Sequence, residues 1–395
     1  MPTSDPIVIV SAARTPMGGF QGALAGAKAT ELGAAAVKAA VERAGVSADA
    51  VDQVLMGCVL PAGLGQAPAR QAALGAGLSQ STQAVTLNKM CGSGLQAAIQ
   101  AHDALLAGSA NVIVAGGMES MSGAPYLLAK HRAGARIGHD TAYDHMYLDG
   151  LEDAYSPGKL MGAFAEEAAR AYQFTRQDQD AYAIESLSRA RAAQANGAFD
   201  AEITPVEVKS RGGAVTVSAD EQPAKADPAK IPTLRPAFAP DGTITAANAS
   251  SISDGAAALT LMRASTAEKL GLAPLARIAG HGAHAHAPGL FTTAPVPAMR
   301  QALERAGWSP ADVDLWEVNE AFAVVAMIAE RELNIDRHQL NVNGGSCALG
   351  HPIGASGARI MATLLAALKA RKVNRGMASL CIGGGEAVAM AVELI

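Results

Sequence analysis

Hydrophobic and polar positions fall into two runs of the same form, separated by a more polar stretch. In the first run, VERAGVSADAVD (residues 41–52) has helical spacing, stops at Gly45, restarts at Ser47 and leads into VLMGCVL, an apolar segment of strand length. In the second, LERAGWSPADVD (303–314) repeats the Glu-Arg-Ala-Gly, the Ser two residues on and the closing Val-Asp, and leads into LWEVNEAF. The parallel continues downstream. AVTLNKMCGSGLQAAIQAHDALLAG followed by ANVIVAGG reads as strand, glycine-rich turn, long helix, strand; QLNVNGGSCALGHPIGASGARIMATLLAALKA followed by GMASLCIGGG reads the same way. This duplication predicts an α/β protein with buried parallel strands and helices on their faces.

The intervening stretch has another texture. From about Gly123 to Thr243 it turns polar and charged, with a helical pattern in FTRQDQDAYAIESLSRARAAQ and a Pro/Lys/Asp-rich segment, EQPAKADPAKIPTLRPAFAPDG. TAANASSISDGAAALTLM then returns to the first run's style. The expected organisation is a first half of residues 1–122 plus 244–273, an inserted, partly loop-built lobe of residues 123–243, and a second half of residues 274–395. A chain of 395 residues suits more than one domain.

Composition narrows the classes. A net charge of −5 supplies no overall basic field for nucleic acid or an anionic membrane. No apolar run is long enough to span a bilayer and no export signal is visible, so a cytoplasmic protein is expected. Cys58, Cys91, Cys347 and Cys381 form no CxxC pair, which argues against a disulfide framework or a zinc ribbon. The histidines of HGAHAH (His281, His284, His286) lack acidic or cysteine partners nearby in sequence, so no metal is expected. No dinucleotide, P-loop or serine-hydrolase motif occurs.

The chemistry gathers at the glycine-rich strand ends, where ligands of open α/β sheets bind. Cys91 stands between a strand and a helix; it is either a thiol whose pKa the helix terminus lowers or a buried residue of a tight turn. His351, between Gly350 and Pro352, is either the base that takes the thiol proton or a hydrogen-bonded loop residue. Cys381 precedes three glycines whose N–H groups can cradle an oxyanion, and is either a proton shuttle or a core cysteine. Asn319 either holds a water against an oxyanion or caps the next helix.

Taken together, NKMCGSGLQA, WEVNEAFA, NVNGGSCALGHPIGASGARI and CIGGGEAVA resemble, in the right order, the four motifs of the thiolase family, in particular its acetyl-CoA acetyltransferases. The resemblance runs from SAARTPMGGFQG to the last strand. It implies duplicated halves in αβαβα layers, with an inserted loop domain that holds coenzyme A. It implies that Cys91 carries the acyl group, His351 activates it and Cys381 moves the α-proton. One oxyanion hole would be a water on Asn319 and His351; the other, the N–H groups of Cys91 and Gly383. For coenzyme A the family pattern points to Ser250, Met161, Phe322 and Arg211. The implied reaction is reversible condensation of two acetyl-CoA to acetoacetyl-CoA and CoA, or thiolysis of short 3-ketoacyl-CoA, without any cofactor, in a homodimer or homotetramer. A degradative 3-ketoacyl-CoA thiolase of broader range is the alternative, and a non-catalytic acyl-CoA or lipid-binding relative a remote one. The chain departs from the family pattern at Leu160, at Leu290 and Phe291, at the NASS turn, and at Ser346-Cys347 before Ala-Leu-Gly-His-Pro.

Overall fold

The computed structural model describes residues 5–210 and 212–395. The elements that build the site are, in chain order, β1 (Ile7–Arg14), α1 (Ala29–Ala44), β2 (Gln53–Gly57), β3 (Gln83–Leu87), α2 (Ser93–Leu106), β4 (Val112–Ser120), α3 (Met161–Ala171), α4 (Arg176–Ala195), β5 (Ser253–Arg263), β6 (Ala276–Ala285), α5 (Pro295–Ala306), β7 (Leu315–Val318), α6 (Ala323–Leu333), α7 (Ser356–Arg371), β8 (Arg375–Ile382) and β9 (Glu386–Leu394). The repeat seen in sequence is a repeat in space. α1 and α5 both end at a glycine in the left-handed region, Gly45 at φ 70° and Gly307 at φ 72°, where a side chain would be strained. Each is followed by one 3₁₀ turn, Ala48–Ala50 or Pro310–Asp312, and then by a buried strand, β2 or β7.

The main sheet runs β7-β8-β9-β6-β1-β5-β4-β2-β3, with the short strand Gly18–Gly19 alongside β5. Among the described residues β2 with β3, β2 with β4, and β7 with β8 are parallel, as expected, whereas the other pairs of this sheet are antiparallel, which corrects that expectation for the rest of the sheet. The reason is local. Gly383–Gly385 closes β8 onto β9 as a hairpin with Ile382 opposite Glu386, and a hairpin joins antiparallel strands. β4 and β5 pair in the same sense, with residues 121–252 where the second half has three glycines. Burial on both faces looks alike in either direction, so the apolar runs did not reveal it.

The strand expected at QLNVN shrinks to one bridge between Trp316 and Leu340. Asn341 adopts φ 46°, and its side-chain amide replaces the next rung by accepting the N–H of Val318 and donating to the carbonyl of Val318, both at 2.9 Å.

Alternation along the strands sorts the core into layers. Ala256, Ala258 and Met262 of β5 pack outward with α1, whereas Leu259 and Leu261 pack inward. On β9, Ala387, Ala389 and Ala391 pack outward with α5, and Val388, Met390 and Val392 inward. The inner faces of both halves meet around Leu95, Ile99, Ile360 and Leu364 of α2 and α7. Five layers result: helix, sheet, paired central helices, sheet, helix.

The stretch between β4 and β5 holds α3, α4 and two small hairpins. α4 starts where the Thr-x-x-Asp pattern caps it, the Thr175 hydroxyl accepting the N–H of Asp178 at 3.1 Å. Buried Arg14 of β1 ties this lobe down through Glu202 at 2.6 Å and Asp220 at 2.7 and 2.9 Å. Among the described residues no helix is long and apolar enough to cross a membrane.

Candidate active site

Cys91 lies in the tight connection from β3 to α2. Met90 just before it takes φ 46°, held there by the Asn88 side chain, which accepts the Met90 N–H at 2.9 Å. The Ser93 hydroxyl accepts from the Lys89 N–H at 2.8 Å and donates to the Met90 carbonyl at 2.6 Å, closing the loop around the thiol. A side chain at Gly92 would collide with Ile382 and Val388 of the second half, so glycine there lets β8 and β9 approach the sulfur.

The thiol is not acidified as the helix-terminus reading expects. Burial pushes its pKa up to about 11; the N–H groups of Gly383 and of Cys91 itself, bonded to the sulfur, pull it down only in part, and buried Glu119 adds to the rise. Burial wins because α2 begins two residues later, at Ser93, in an interior with little water to stabilise charge. The resting group is therefore a thiol that needs a base.

His351 is built to be that base. Its Nδ1 lies 2.5 Å from the Ser356 hydroxyl, which itself donates to the Pro352 carbonyl at 3.0 Å. The hydroxyl proton is thereby committed, so Nδ1 must be the donor and Nε2 keeps its lone pair. Nε2 is buried without a partner among the described residues. Burial, and then the charge of Arg359, lower the imidazole pKa to about 3, which keeps the ring neutral at ordinary pH.

Cys381 ends β8 and is buried, its thiol pushed well up by burial and then by Cys91 beside it. Asn319 directly follows β7 and caps no helix, since α6 starts only at Ala323. Its Oδ1 accepts from the Ser346 hydroxyl at 2.6 Å, while Nδ2 is buried and unpartnered among the described residues.

Cys91, His351, Cys381 and Gly383 line one pocket of about 340 Å³, together with Ser250, Met161 and Phe322. Its walls are otherwise mainly apolar, including Leu160, Phe238, Phe291 and Ile353. Ser250 is fixed by its N–H to the Ala321 carbonyl at 2.9 Å. Asn319 is not part of the lining, although Ala321 and Phe322 just after it are. Arg211 lies outside the described residues.

The HGAHAH histidines separate in space. His281 pairs with Asp103 at 3.2 Å beside His102, a group with metal-ligand spacing, and Arg305 places a cation 3.4 Å from the other nitrogen of His281. His284 and His286 instead stack edge to face.

Residues 7–265 match the family model for the thiolase N-terminal domain, and residues 272–394 the model for the thiolase C-terminal domain. The chain belongs to the thiolase family. Relatives along nearly the whole length include an acetyl-CoA acetyltransferase of Cupriavidus necator, 50% identical over 98% of this chain and 99% of that protein. Another, of Escherichia coli, is 51% identical over 98% of both. Among solved structures, the Bacillus anthracis acetyl-CoA acetyltransferase superposes with a TM-score of 0.96 at 41% identity over 100% of both chains.

For this member of the thiolase family, two residues around the site, Glu119 and Arg359, escaped the reading of sequence. Buried Glu119, at the end of β4, accepts the N–H groups of Val59, Leu60 and Gly354 at 3.0, 3.1 and 2.9 Å and so ties the His351 turn to the first half. Its only signal was a carboxylate closing an otherwise apolar strand. Burial raises its pKa to about 7 against those three donors. Glu119→Gln sets an amide NH₂ against N–H donors, so thermal unfolding should show a loss of about 1–3 kcal/mol; an unchanged melting temperature would refute the tie. Arg359 is buried behind Ser346, a position that the sequence had marked only as unusual.

Proposed function

We propose that this thiolase-family enzyme is an acetyl-CoA C-acetyltransferase that condenses two acetyl-CoA to acetoacetyl-CoA and CoA, and runs the reverse thiolysis, through an acetyl-Cys91 intermediate. The observation that carries the reading is the convergence on one apolar pocket of a thiol with N–H donors on its sulfur, a neutral imidazole with a free lone pair, and a second buried thiol. Names and identities of the relatives support the acetyl substrate.

In thiolysis, His351 Nε2 takes the Cys91 proton and the sulfur adds to the keto carbon of acetoacetyl-CoA. The carbon–carbon bond breaks, and the electron pair leaves as the enolate of acetyl-CoA. That enolate takes a proton from Cys381, releasing acetyl-CoA and leaving acetyl-Cys91. The CoA thiol then attacks the acetyl-cysteine, its proton being removed by the Cys381 thiolate, and Cys91 is regained as its thiolate with the proton held on His351. Condensation is the same path reversed. The N–H groups of Gly383 and Cys91 serve the oxyanion at the acylated carbon, and a water held by Asn319, together with His351, serves the enolate. Two thiols are needed because the acylated one cannot also move the α-proton.

The lobe of residues 123–243 is assigned to holding coenzyme A, with Ser250, Met161 and Phe322 near the pantetheine and acyl group and Arg211 toward the nucleotide. Coenzyme A thioesters are substrates here, and the proposed assembly is a cytoplasmic homodimer or homotetramer. Peptide mass analysis after mixing with acetyl-CoA should find the acetyl group on Cys91; finding it on another cysteine would overturn the assignment.

Phe291 bounds the acyl end of the pocket and is 2% exposed. Phe291→Ala should raise kcat/KM for 3-ketohexanoyl-CoA relative to acetoacetyl-CoA by about tenfold, since two buried methylenes are worth about 1.6 kcal/mol once room exists. An unchanged ratio in a chain-length series would remove Phe291 from the specificity wall.

A further inference from the structure

Behind Asn319 stands a hydrogen-bonded chain that no step above has used. Arg359 of α7 is fully buried, and its Nη2 donates to the Ser346 hydroxyl at 2.8 Å. A guanidinium has no acceptor, so Ser346 must accept that bond and spend its own proton on Asn319 Oδ1, 2.6 Å away. Were the Asn319 amide turned over, its NH₂ would face a hydroxyl already receiving a donor. The oxygen is thus held at Ser346, and Nδ2 is left as the unpartnered end.

Two further facts bear on this chain. Glu317 lies 4.0 Å from Arg359 Nη1 and favours the cation that burial disfavours, while burial raises its own pKa to about 8. Ser346 also opens the short helical turn Ser346–Leu349, which leads through Gly350 to His351, so one hydroxyl fixes the amide on one segment and belongs to the turn that presents the imidazole. The guanidinium polarises the hydroxyl, the hydroxyl polarises the amide oxygen, and the positive end of the series emerges at Asn319 Nδ2.

We propose that Ser346 and Arg359 are positioning residues that lock and polarise the Asn319 amide, so that its N–H group holds the water that supports the enolate oxyanion in carbon–carbon bond formation and cleavage. They touch no substrate; they act through Asn319. The inference rests on the assignment of Asn319 to the enolate made above.

The two halves of the reaction separate the two ideas. Exchange of isotopically labelled CoA into acetyl-CoA requires only acylation and deacylation of Cys91; thiolysis of acetoacetyl-CoA also requires the enolate. Ser346→Ala should lower kcat for thiolysis about 5- to 10-fold, with KM and the exchange rate within twofold of the parent. Ser346→Thr, which keeps the hydroxyl, should restore thiolysis to within about threefold. Arg359→Lys is a second variant, expected to show the same selective loss if Ser346→Ala folds poorly by circular dichroism. Equal losses in exchange and thiolysis, or no loss in thiolysis, would overturn the lock. Asn319→Ala measured alongside keeps the readings apart: a selective loss there with none in Ser346→Ala sinks only the lock, whereas an unaffected Asn319→Ala sinks the enolate assignment itself.

Discussion

Cys91→Ala should lower thiolysis of acetoacetyl-CoA by about 10⁴-fold or more, with the folded state retained. The loss is large because the variant lacks the atom that forms the acyl bond, and the neighbouring thiol cannot replace it: Cys381 is the α-proton carrier in the proposed path, and the paired N–H donors of Gly383 and Cys91 converge on the Cys91 sulfur. Packing changes little, since the thiol is half-buried at a pocket wall and alanine fits the same backbone. Steady-state thiolysis together with labelled-CoA exchange checks this; exchange surviving at more than a few per cent of the parent would mean that another group carries the acyl chain.

The second large effect concerns the base. With its pKa pushed up to about 11, the Cys91 thiol is ionised in only about one molecule in 10⁴ at pH 7 without help. His351→Ala should therefore cost about 10³- to 10⁴-fold in kcat/KM, at the upper end of what a positioned base contributes. The sign of the pH dependence follows from the same raised value. A thiol held above its ordinary pKa yields more thiolate as pH rises, so the variant should regain about tenfold per unit up to about pH 11. The parent should behave differently in acid, because the His351 pKa is lowered to about 3 and the ring stays an unprotonated base through the usual histidine range. No acid limb near pH 6.5 assignable to His351 is expected in the kcat/KM profile. A limb there that disappears in His351→Ala would contradict the lowered value.

Much of the architecture was legible because it depends on local patterns. Helix ends at Gly45 and Gly307 and the helical run in FTRQDQDAYAIESLSRARAAQ need only near neighbours in sequence to express themselves. Strand direction was not legible, since buried strands carry the same apolar runs whether parallel or antiparallel. The lost strand at QLNVN turned on one residue, Asn341, whose side chain took over a backbone rung.

The site divides in the same way. Cys91, His351, Cys381 and Asn319 could be named from the turns that hold them, whereas the pocket residues Ser250, Met161 and Phe322 came only from the resemblance to the family. Their protonation states could not. Whether a thiol at a helix start is acidic depends on how much water and charge surround it, and those surroundings come from β4, β8 and the turn near Gly354, far apart in the chain. Glu119 and Arg359 were hidden for the same reason: a buried charge declares its role only through the partners that compensate it.

The sequence by itself determined the duplication, the residue types at each glycine-rich strand end and the family, because these are properties of order along the chain. Tertiary structure alone decided which strands run against each other, that Cys91 rests as a thiol, that His351 keeps its Nε2 lone pair, and which way the Asn319 amide is turned. Each of these is an energy set by desolvation or by a hydrogen bond between segments distant in sequence, and such energies exist only once the halves have closed on one another.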